Sequence, residues 1–321
     1  MKKYLAAAVV ALSAIGGPCL AAETYPVRSV RMIIPNSPGG PSDLLLRLLA
    51  RDLNETLGQP FVVENKPGAN GMIAGSDCAH AKPDGYTLCL QDSYNILLNP
   101  LITKDMPFSP LRDFAPIIHL GFLPSGLWAR GALPINTVED MLKLARTRKE
   151  PLNFATFGTG SSSDLYVDWF ATKGLRFNKV AYKSAIDAFR AVTSGEADFS
   201  VYGLFSGLPR RGPDLKLIGV NTETRFADLP DVQTFQEGGI DIPIVTWFAL
   251  FTQRAVPSDI VNTLNARISK ALASNPDILG NLKTLGVLQY GPAGGSSAAL
   301  TSFLKDQTAI YSALVKSSGG E

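Results

Sequence analysis

The fold of this chain is indicated most clearly by Ile33-Ile34-Pro35-Asn36-Ser37-Pro38-Gly39-Gly40-Pro41-Ser42-Asp43-Leu44. The stretch begins as a buried strand, continues as a loop of proline and glycine, and enters an apolar helix. The two glycines ahead of the helix, Gly39 and Gly40, are expected to leave their backbone N–H groups free and uncrowded, and the helix N-terminus adds about half a positive charge. The stretch therefore predicts a place that binds a carboxylate or phosphate without a charged side chain.

A second unit of the same kind begins at the predicted strand 153–156. It continues as Phe157-Gly158-Thr159-Gly160-Ser161-Ser162-Ser163-Asp164, ahead of a helix from Leu165. Ligands of open α/β sheets bind at the carboxyl ends of the strands. Two such units that face each other would present two helix N-termini to one cleft. A plain strand-to-helix turn remains the alternative interpretation of the second loop.

Strands and helices alternate along the rest of the chain, a pattern that predicts an α/β fold with parallel sheets covered on both faces. Thr137 and Asp140 form a capping-box pattern at the start of one of the predicted helices. About 300 residues remain after the predicted leader is removed, and this is too many for a single small hydrophobic core. Two domains are therefore expected.

The N-terminus has the pattern of a signal peptide. A basic Met1-Lys2-Lys3 precedes a short apolar run, and Cys19-Leu20-Ala21 predicts cleavage after Ala21, hence export to the periplasm. An uncleaved membrane anchor is the alternative. Removing Lys2 and Lys3 from the 30 basic residues leaves 28, equal to the 28 acidic ones. A formal charge of zero provides no field for nucleic acid, and no later stretch is apolar enough to cross a membrane.

Two cysteines follow the leader, Cys78 in a predicted helix and Cys89 in the next predicted strand. An even pair in an exported protein favours a disulfide, with two buried thiols as the alternative.

Patterns typical of enzymes are missing from the sequence. It holds two histidines, His80 and His119, and has neither metal-ligand spacing nor a nucleophile elbow. The second loop also lacks the third glycine of a dinucleotide fingerprint. Four acidic residues could in principle supply a catalytic carboxylate pair: Asp43, Asp164, Asp187 and Asp198. An aspartate at the start of a helix is, however, more often a cap. No catalytic residue, metal or cofactor is therefore expected.

Several motifs together resemble one family. They are the opening loop, Val62-Val63-Glu64-Asn65-Lys66-Pro67-Gly68-Ala69-Asn70-Gly71, Pro83-Asp84-Gly85-Tyr86-Thr87-Leu88, Leu111-Arg112-Asp113-Phe114, Val180-Ala181-Tyr182-Lys183, Leu229-Pro230-Asp231-Val232 and Trp247-Phe248. In this order they resemble the solute-binding receptors of tripartite tricarboxylate transporters, also called Bug receptors.

The resemblance implies a periplasmic-binding-protein fold of type 2 style, with two α/β lobes and a hinge crossed twice. Residues 22–130 and 243–321 would form lobe one, and residues 131–242 lobe two. A receptor of this kind, working as a monomer, would capture a small mono- or dicarboxylate and deliver it to a membrane permease. It would not be an enzyme.

The resemblance also implies a ligand-binding set. In lobe one it comprises Ser37, Pro38, Gly39, Gly40 and Ser42, with Ser93 at the rim. In lobe two it comprises Thr156, Thr159, Gly160, Ser161, Ser162 and Ser163.

The chain departs from the family pattern in three places: Asn36-Ser37, Asp164 and Val201-Tyr202-Gly203. Tyr202 stands where the family has an aspartate that could hold a ligand amine. This replacement argues against an amino acid as ligand and favours an aromatic or bulkier carboxylate. Tyr202 would then be a further ligand contact, although the ring could simply pack.

Two other functions stay open: a periplasmic hydrolase with an Asp/Ser pair, and a sensor of the same fold that signals to a partner protein.

Overall fold

The computed structural model describes residues 25–158, 161–242, 245–288 and 294–317. The predicted leader and its cleavage after Ala21 lie outside these residues. The described chain folds into two five-stranded sheets covered by helices. The α/β, two-lobed fold expected from the sequence is confirmed.

The first sheet has the strand order β2-β1-β3-β10-β4. Its strands are β1 (Val30–Ile34), β2 (Phe61–Asn65), β3 (Thr87–Asp92), β4 (Phe114–Leu123) and β10 (Thr246–Gln253). The second sheet has the order β7-β6-β8-β5-β9. Its strands are β5 (Ser125–Arg130), β6 (Leu152–Thr156), β7 (Phe177–Ala181), β8 (Phe199–Gly203) and β9 (Leu215–Val220).

Both sheets are mixed, and the prediction of parallel sheets is wrong in this respect. β10 runs antiparallel to β3 and β4, and β5 runs antiparallel to β8 and β9. These two strands follow the crossings between the sheets, so each enters its sheet from the other lobe and reverses the local direction.

The strand pairing also corrects the expected lobe boundary. The sequence-based division assigns residues 125–130 to lobe one, but β5 forms its ladder within the second sheet. The first crossing therefore lies at Pro124, between the end of β4 and the start of β5. The second crossing lies between β9 and β10.

Helices connect the strands and cover the sheets. They are α1 (Pro41–Leu57), α2 (Met72–Ala79), α3 (Asn99–Ile102), α4 (Pro110–Asp113), α5 (Val138–Thr147), α6 (Ser162–Thr172), α7 (Ala185–Ser194), α8 (Leu204–Gly207), α9 (Ser258–Ser274), α10 (Pro276–Leu285) and α11 (Ser297–Ser317). Short turns of other helical types occur at Ala69–Gly71, Tyr94–Leu98 (a π-helical turn) and Leu208–Arg210.

Local sequence explains where several helices begin and end. Pro41 opens α1, and Gly58 ends it in the left-handed conformation with its N–H donated to Asn54 O. Thr137 and Asp140 form the predicted capping box of α5. Ser184 caps α7 by accepting the Asp187 N–H.

Apolar side chains cover both faces of the first sheet. On one face α1 and α9 bury Leu46, Leu49 and Leu264 against β1 and β3. On the other face α2 and α11 pack on β3 and β10, and the same core continues under α5 and α6 of the second sheet. The predicted disulfide is present: Cys78 of α2 is bonded to Cys89 of β3, with 6.1 Å between their Cα atoms. No described helix is both long and apolar enough to cross a membrane.

Candidate functional site

A cavity of about 410 Å³ lies between the two lobes, at the carboxyl ends of β1, β2, β3 and β6. Its walls are Pro35, Asn36, Gly68, Ala69, Asn70, Gly71, Asp92, Tyr94, Asn95, Asn99, Phe157 and Ser161. Both lobes contribute, which is the arrangement expected where loops after two sets of strands face each other. Amide, hydroxyl and backbone groups dominate this lining, so it is polar with little charge.

The first glycine loop is held by Asp43. Its buried carboxylate accepts the Gly39 N–H at 2.9 Å, the Arg47 Nε–H at 3.0 Å and the Asn65 Nδ2–H at 2.9 Å. Burial raises the pKa of Asp43, but these hydrogen bonds outweigh burial and lower it below the ordinary value. Gly39 has φ +88°, a conformation that favours glycine. Because the Asp43 carboxylate accepts the Gly39 N–H, this N–H is not a free donor, and the expectation from the sequence is wrong at this position.

A second lobe-one loop, Gly68–Gly71, forms much of the cavity wall. All four residues have positive φ, including Ala69 at 46° and Asn70 at 50°, which side chains rarely adopt. Asn99 Nδ2 holds the loop by donating to Asn70 O at 2.7 Å, and a Cβ at Gly71 would lie 2.3 Å from Asn95 Oδ1. Within the described residues, the backbone N–H groups of Ala69 and Asn70 meet no hydrogen-bond acceptor. Strained backbone with unused donors is typical of a ligand site.

Asp92 ends β3 and is the one charged side chain among the described residues that line the cavity. Its Oδ1 accepts the Asn95 N–H at 2.9 Å. Burial raises the pKa of Asp92 to about 6, because it penalises the ionised form. Hydrogen bonds from the backbone of Asn95 and Tyr94 favour the ionised form, but their effect is smaller. The side chain still keeps partial exposure to the cavity.

Lobe two contributes Phe157 and Ser161. Ser161 caps α6, since its Oγ accepts the Asp164 N–H at 3.3 Å and lies 3.1 Å from Ser163 Oγ. Ser163 and Thr156 are buried beneath this wall. Thr159 and Gly160, and the side chain of Ser162, lie outside the described residues. Of the described members of the predicted lobe-two set, Ser161 is the one that lies on the cavity wall.

The remaining described residues of the predicted set are not among those that line the cavity. Ser37, Pro38 and Gly39 are exposed, with Gly40 beside them at the start of α1. Ser42 is buried and donates to Asn36 Oδ1 at 3.3 Å. Ser93 is fully buried near Tyr311 of α11.

Tyr202 also packs rather than lining the cavity. Its ring stacks on Phe189 of α7 with 4.4 Å between the ring centroids. The expectation that Tyr202 contacts the ligand and favours an aromatic acid therefore loses its support.

Sequence reasoning missed Asn70, Asp92, Tyr94, Asn95 and Asn99 as site residues. A signal was available, because these residues follow β2 and β3, whose carboxyl ends share an edge with that of β1. The same rule holds for every loop at this edge of the sheet.

The other aspartates that the sequence analysis considered form ion pairs or hydrogen bonds within the protein. Asp164 pairs with Lys179, Asp187 accepts the Ser184 hydroxyl, and Asp198 pairs with Arg130. His119 is buried among aromatic rings. Across the described ranges, no three His, Cys, Asp or Glu side chains cluster as a metal site would require.

Comparisons with known proteins cover both lobes. A family model described as "Tripartite tricarboxylate transporter family receptor" matches residues 45–319. BugT of Bordetella pertussis is 30% identical over 269 residues, or 83% of this chain and 82% of BugT. The structure of R. palustris Rpa4515 with adipate has a TM-score of 0.80 at 28% identity, covering 92% of this chain and 98% of that one. The structure of MatC from Rhodopseudomonas palustris with bound malate has a TM-score of 0.77 at 28% identity, covering 91% of this chain and 100% of MatC.

Proposed function

Because this chain belongs to the family of tripartite tricarboxylate transporter receptors, we propose that it captures a small carboxylate between its lobes and delivers it to a membrane permease. The family consists of solute-binding receptors and is not an enzyme class. One solved relative is a periplasmic transporter, and another is the periplasmic binding protein BugD. Removal of the leader after Ala21 and action as a monomer complete the proposal.

The observation that carries the proposal is the pairing of uncharged donors from both lobes around one cavity. Lobe one supplies the backbone N–H groups of Ala69 and Asn70, and lobe two supplies the Ser161 hydroxyl. A hydrogen bond to an ionised group contributes roughly 1.5–3 kcal/mol. A few such bonds, offset by desolvation, are enough for roughly micromolar binding, or about −8 kcal/mol.

The bound acids of two relatives support the same chemistry. Rpa4515 is seen with adipate and MatC with malate, and both proteins match this chain over both lobes. Neutral donors suit a transported solute, because the carboxylate must later leave the site.

Closure of the lobes completes the proposed mechanism. The two crossings are tied together where Asn221 Oδ1 accepts the Ser125 N–H at 2.6 Å and Asn221 N–H donates to Ser125 O at 3.0 Å. Rotation about these connections would bring Ser161 onto a carboxylate already held by lobe one.

Calorimetric titration tests the proposal with a panel of acids: succinate, malate, glutarate, adipate, aspartate, glutamate and 2-aminoadipate. We expect at least one acid to bind with a roughly micromolar Kd, its dimethyl ester to bind at least tenfold more weakly, and the acid to be recovered unchanged. Failure of every acid to bind, equal binding of the ester, or turnover of the ester would contradict the proposed function.

A further inference from the structure

Asp92 sets this cavity apart from a plain anion site. A lining of amides, hydroxyls and backbone N–H groups suits carboxylates, yet the one charged side chain on the described wall is itself a carboxylate. A second carboxylate placed beside it in a closed, water-poor cleft would be repelled.

Among the described residues, no cation compensates the charge of Asp92. Its hydrogen bonds come from the backbone N–H groups of Asn95 and Tyr94. In the described part of the chain, the titratable groups that face it are two phenols, Tyr94 of its own turn and Tyr311 of α11. The neighbouring strand β10 presents Phe248 opposite it, and the β1 and β2 loops present Asn36 and Asn70. No lysine, arginine or histidine in the described part of the chain forms an ion pair with Asp92.

Two basic side chains of neighbouring segments are paired with other acids. Arg31 of β1 and Lys66, which follows β2, both form ion pairs with Asp77 and Glu64. A buried carboxylate without a cation is costly, and a ligand that brings its own cation removes that cost.

We propose that Asp92 is a specificity-determining residue that makes this receptor prefer carboxylates that also carry an ammonium group, such as amino dicarboxylates. The inference rests on the proposed function. The carboxylate end of the solute binds the uncharged donors, and the ammonium group binds Asp92 in the same cavity.

Matched pairs of acids test the preference, because each pair differs by one ammonium group. The pairs are succinate and aspartate, glutarate and glutamate, and adipate and 2-aminoadipate. At pH 7.5 we expect the amino member of the best-fitting pair to bind at least tenfold more tightly than its partner. In Asp92→Asn the ratio should fall to within about twofold or invert, since the charge is removed while the side-chain carbonyl still accepts the Asn95 N–H.

Asp140→Asn is the control, because Asp140 accepts backbone N–H groups at the start of α5, outside the cavity. It should keep the wild-type ratio. A pH series on the wild type avoids any folding defect of the Asp92 variant: the preference should shrink between pH 7.5 and pH 5 as Asp92 takes up a proton.

Acids that bind without preference for the amino member, or a preference unchanged in Asp92→Asn, would overturn this inference and leave the proposed function standing. Failure of all the acids to bind would overturn both.

Discussion

His119 shows how one buried side chain makes stability depend on pH. It is fully buried against Phe122, Trp247 and Phe303, and neither ring nitrogen has a hydrogen-bond partner within the described residues. Burial lowers the pKa of His119 to about 4. Between pH 6.5 and 4 the unfolded chain therefore binds a proton that the folded chain does not, and stability falls as the pH falls.

Because the unfolded chain binds this proton, we expect the unfolding free energy to fall by about 3 kcal/mol between pH 6.5 and pH 4. His119→Leu replaces the imidazole by an apolar side chain of similar size that takes up no proton. Between pH 6.5 and pH 4 its unfolding free energy should therefore fall by about 3 kcal/mol less than that of the wild type. Urea unfolding of both proteins at the two pH values measures the difference.

Asp92 acts in the opposite direction, because its raised pKa favours the folded state as the pH falls. Its contribution is the same in both proteins and cancels in the comparison. Parallel stability curves for the wild type and His119→Leu would show that His119 titrates as it does in the unfolded chain.

At the scale of single elements, the disulfide ties α2 to β3, and β3 ends in Asp92. Cys78 and Cys89 are eleven residues apart and both are fully buried. A closed loop of this size restricts the unfolded chain and typically stabilises the folded state by about 3 kcal/mol.

The double variant Cys78→Ala/Cys89→Ala should therefore have an unfolding free energy lower by about 3 kcal/mol. Denaturant unfolding measures the change, with the wild type under reducing conditions as a second comparison. A loss below about 0.5 kcal/mol in both comparisons would mean that the reduced chain keeps the same constraint by packing alone.

Local signals were sufficient to predict most elements. Proline, glycine and capping residues predict α1, α5 and α7 because the physics of a helix end involves only a few neighbouring residues. The direction of β5 and β10 depends on which sheet the chain enters after a crossing, and local sequence does not carry that information. The π-helical turn Tyr94–Leu98 lies in a buried apolar run without a helical period, so pattern reasoning missed it.

The site was harder to predict than the fold. Ser161 was identified because a hydroxyl-rich loop before a helix has a recognisable composition. Asp92 was missed because the sequence shows that it ends a strand but not that its side chain reaches a cavity. The sequence also predicted a free N–H at Gly39. The folded structure shows that the Asp43 carboxylate accepts this N–H, a contact that the sequence pattern does not indicate.

At the scale of the whole molecule, two sheets with the same strand pattern face each other across one cavity. In each sheet the antiparallel strand is fourth in order and follows a crossing. This symmetry puts the carboxyl ends of strands from both lobes at the cleft. A charge placed on lobe two should then influence a ligand bound mainly by lobe one, provided that the lobes close on the same solute.

Ser161 is the position at which this claim can be tested most directly. Aspartate and asparagine both cap helices well, so Ser161→Asp and Ser161→Asn should fold alike while differing by one negative charge at the cavity. At about 5 Å a unit charge in a partly shielded site changes binding by about 3 kcal/mol.

The decisive measurement is calorimetric titration of both Ser161 variants with the tightest-binding acid of the panel. The account predicts that Ser161→Asp binds the acid at least tenfold more weakly than Ser161→Asn. Equal affinities in the two variants would contradict binding of the carboxylate between the lobes.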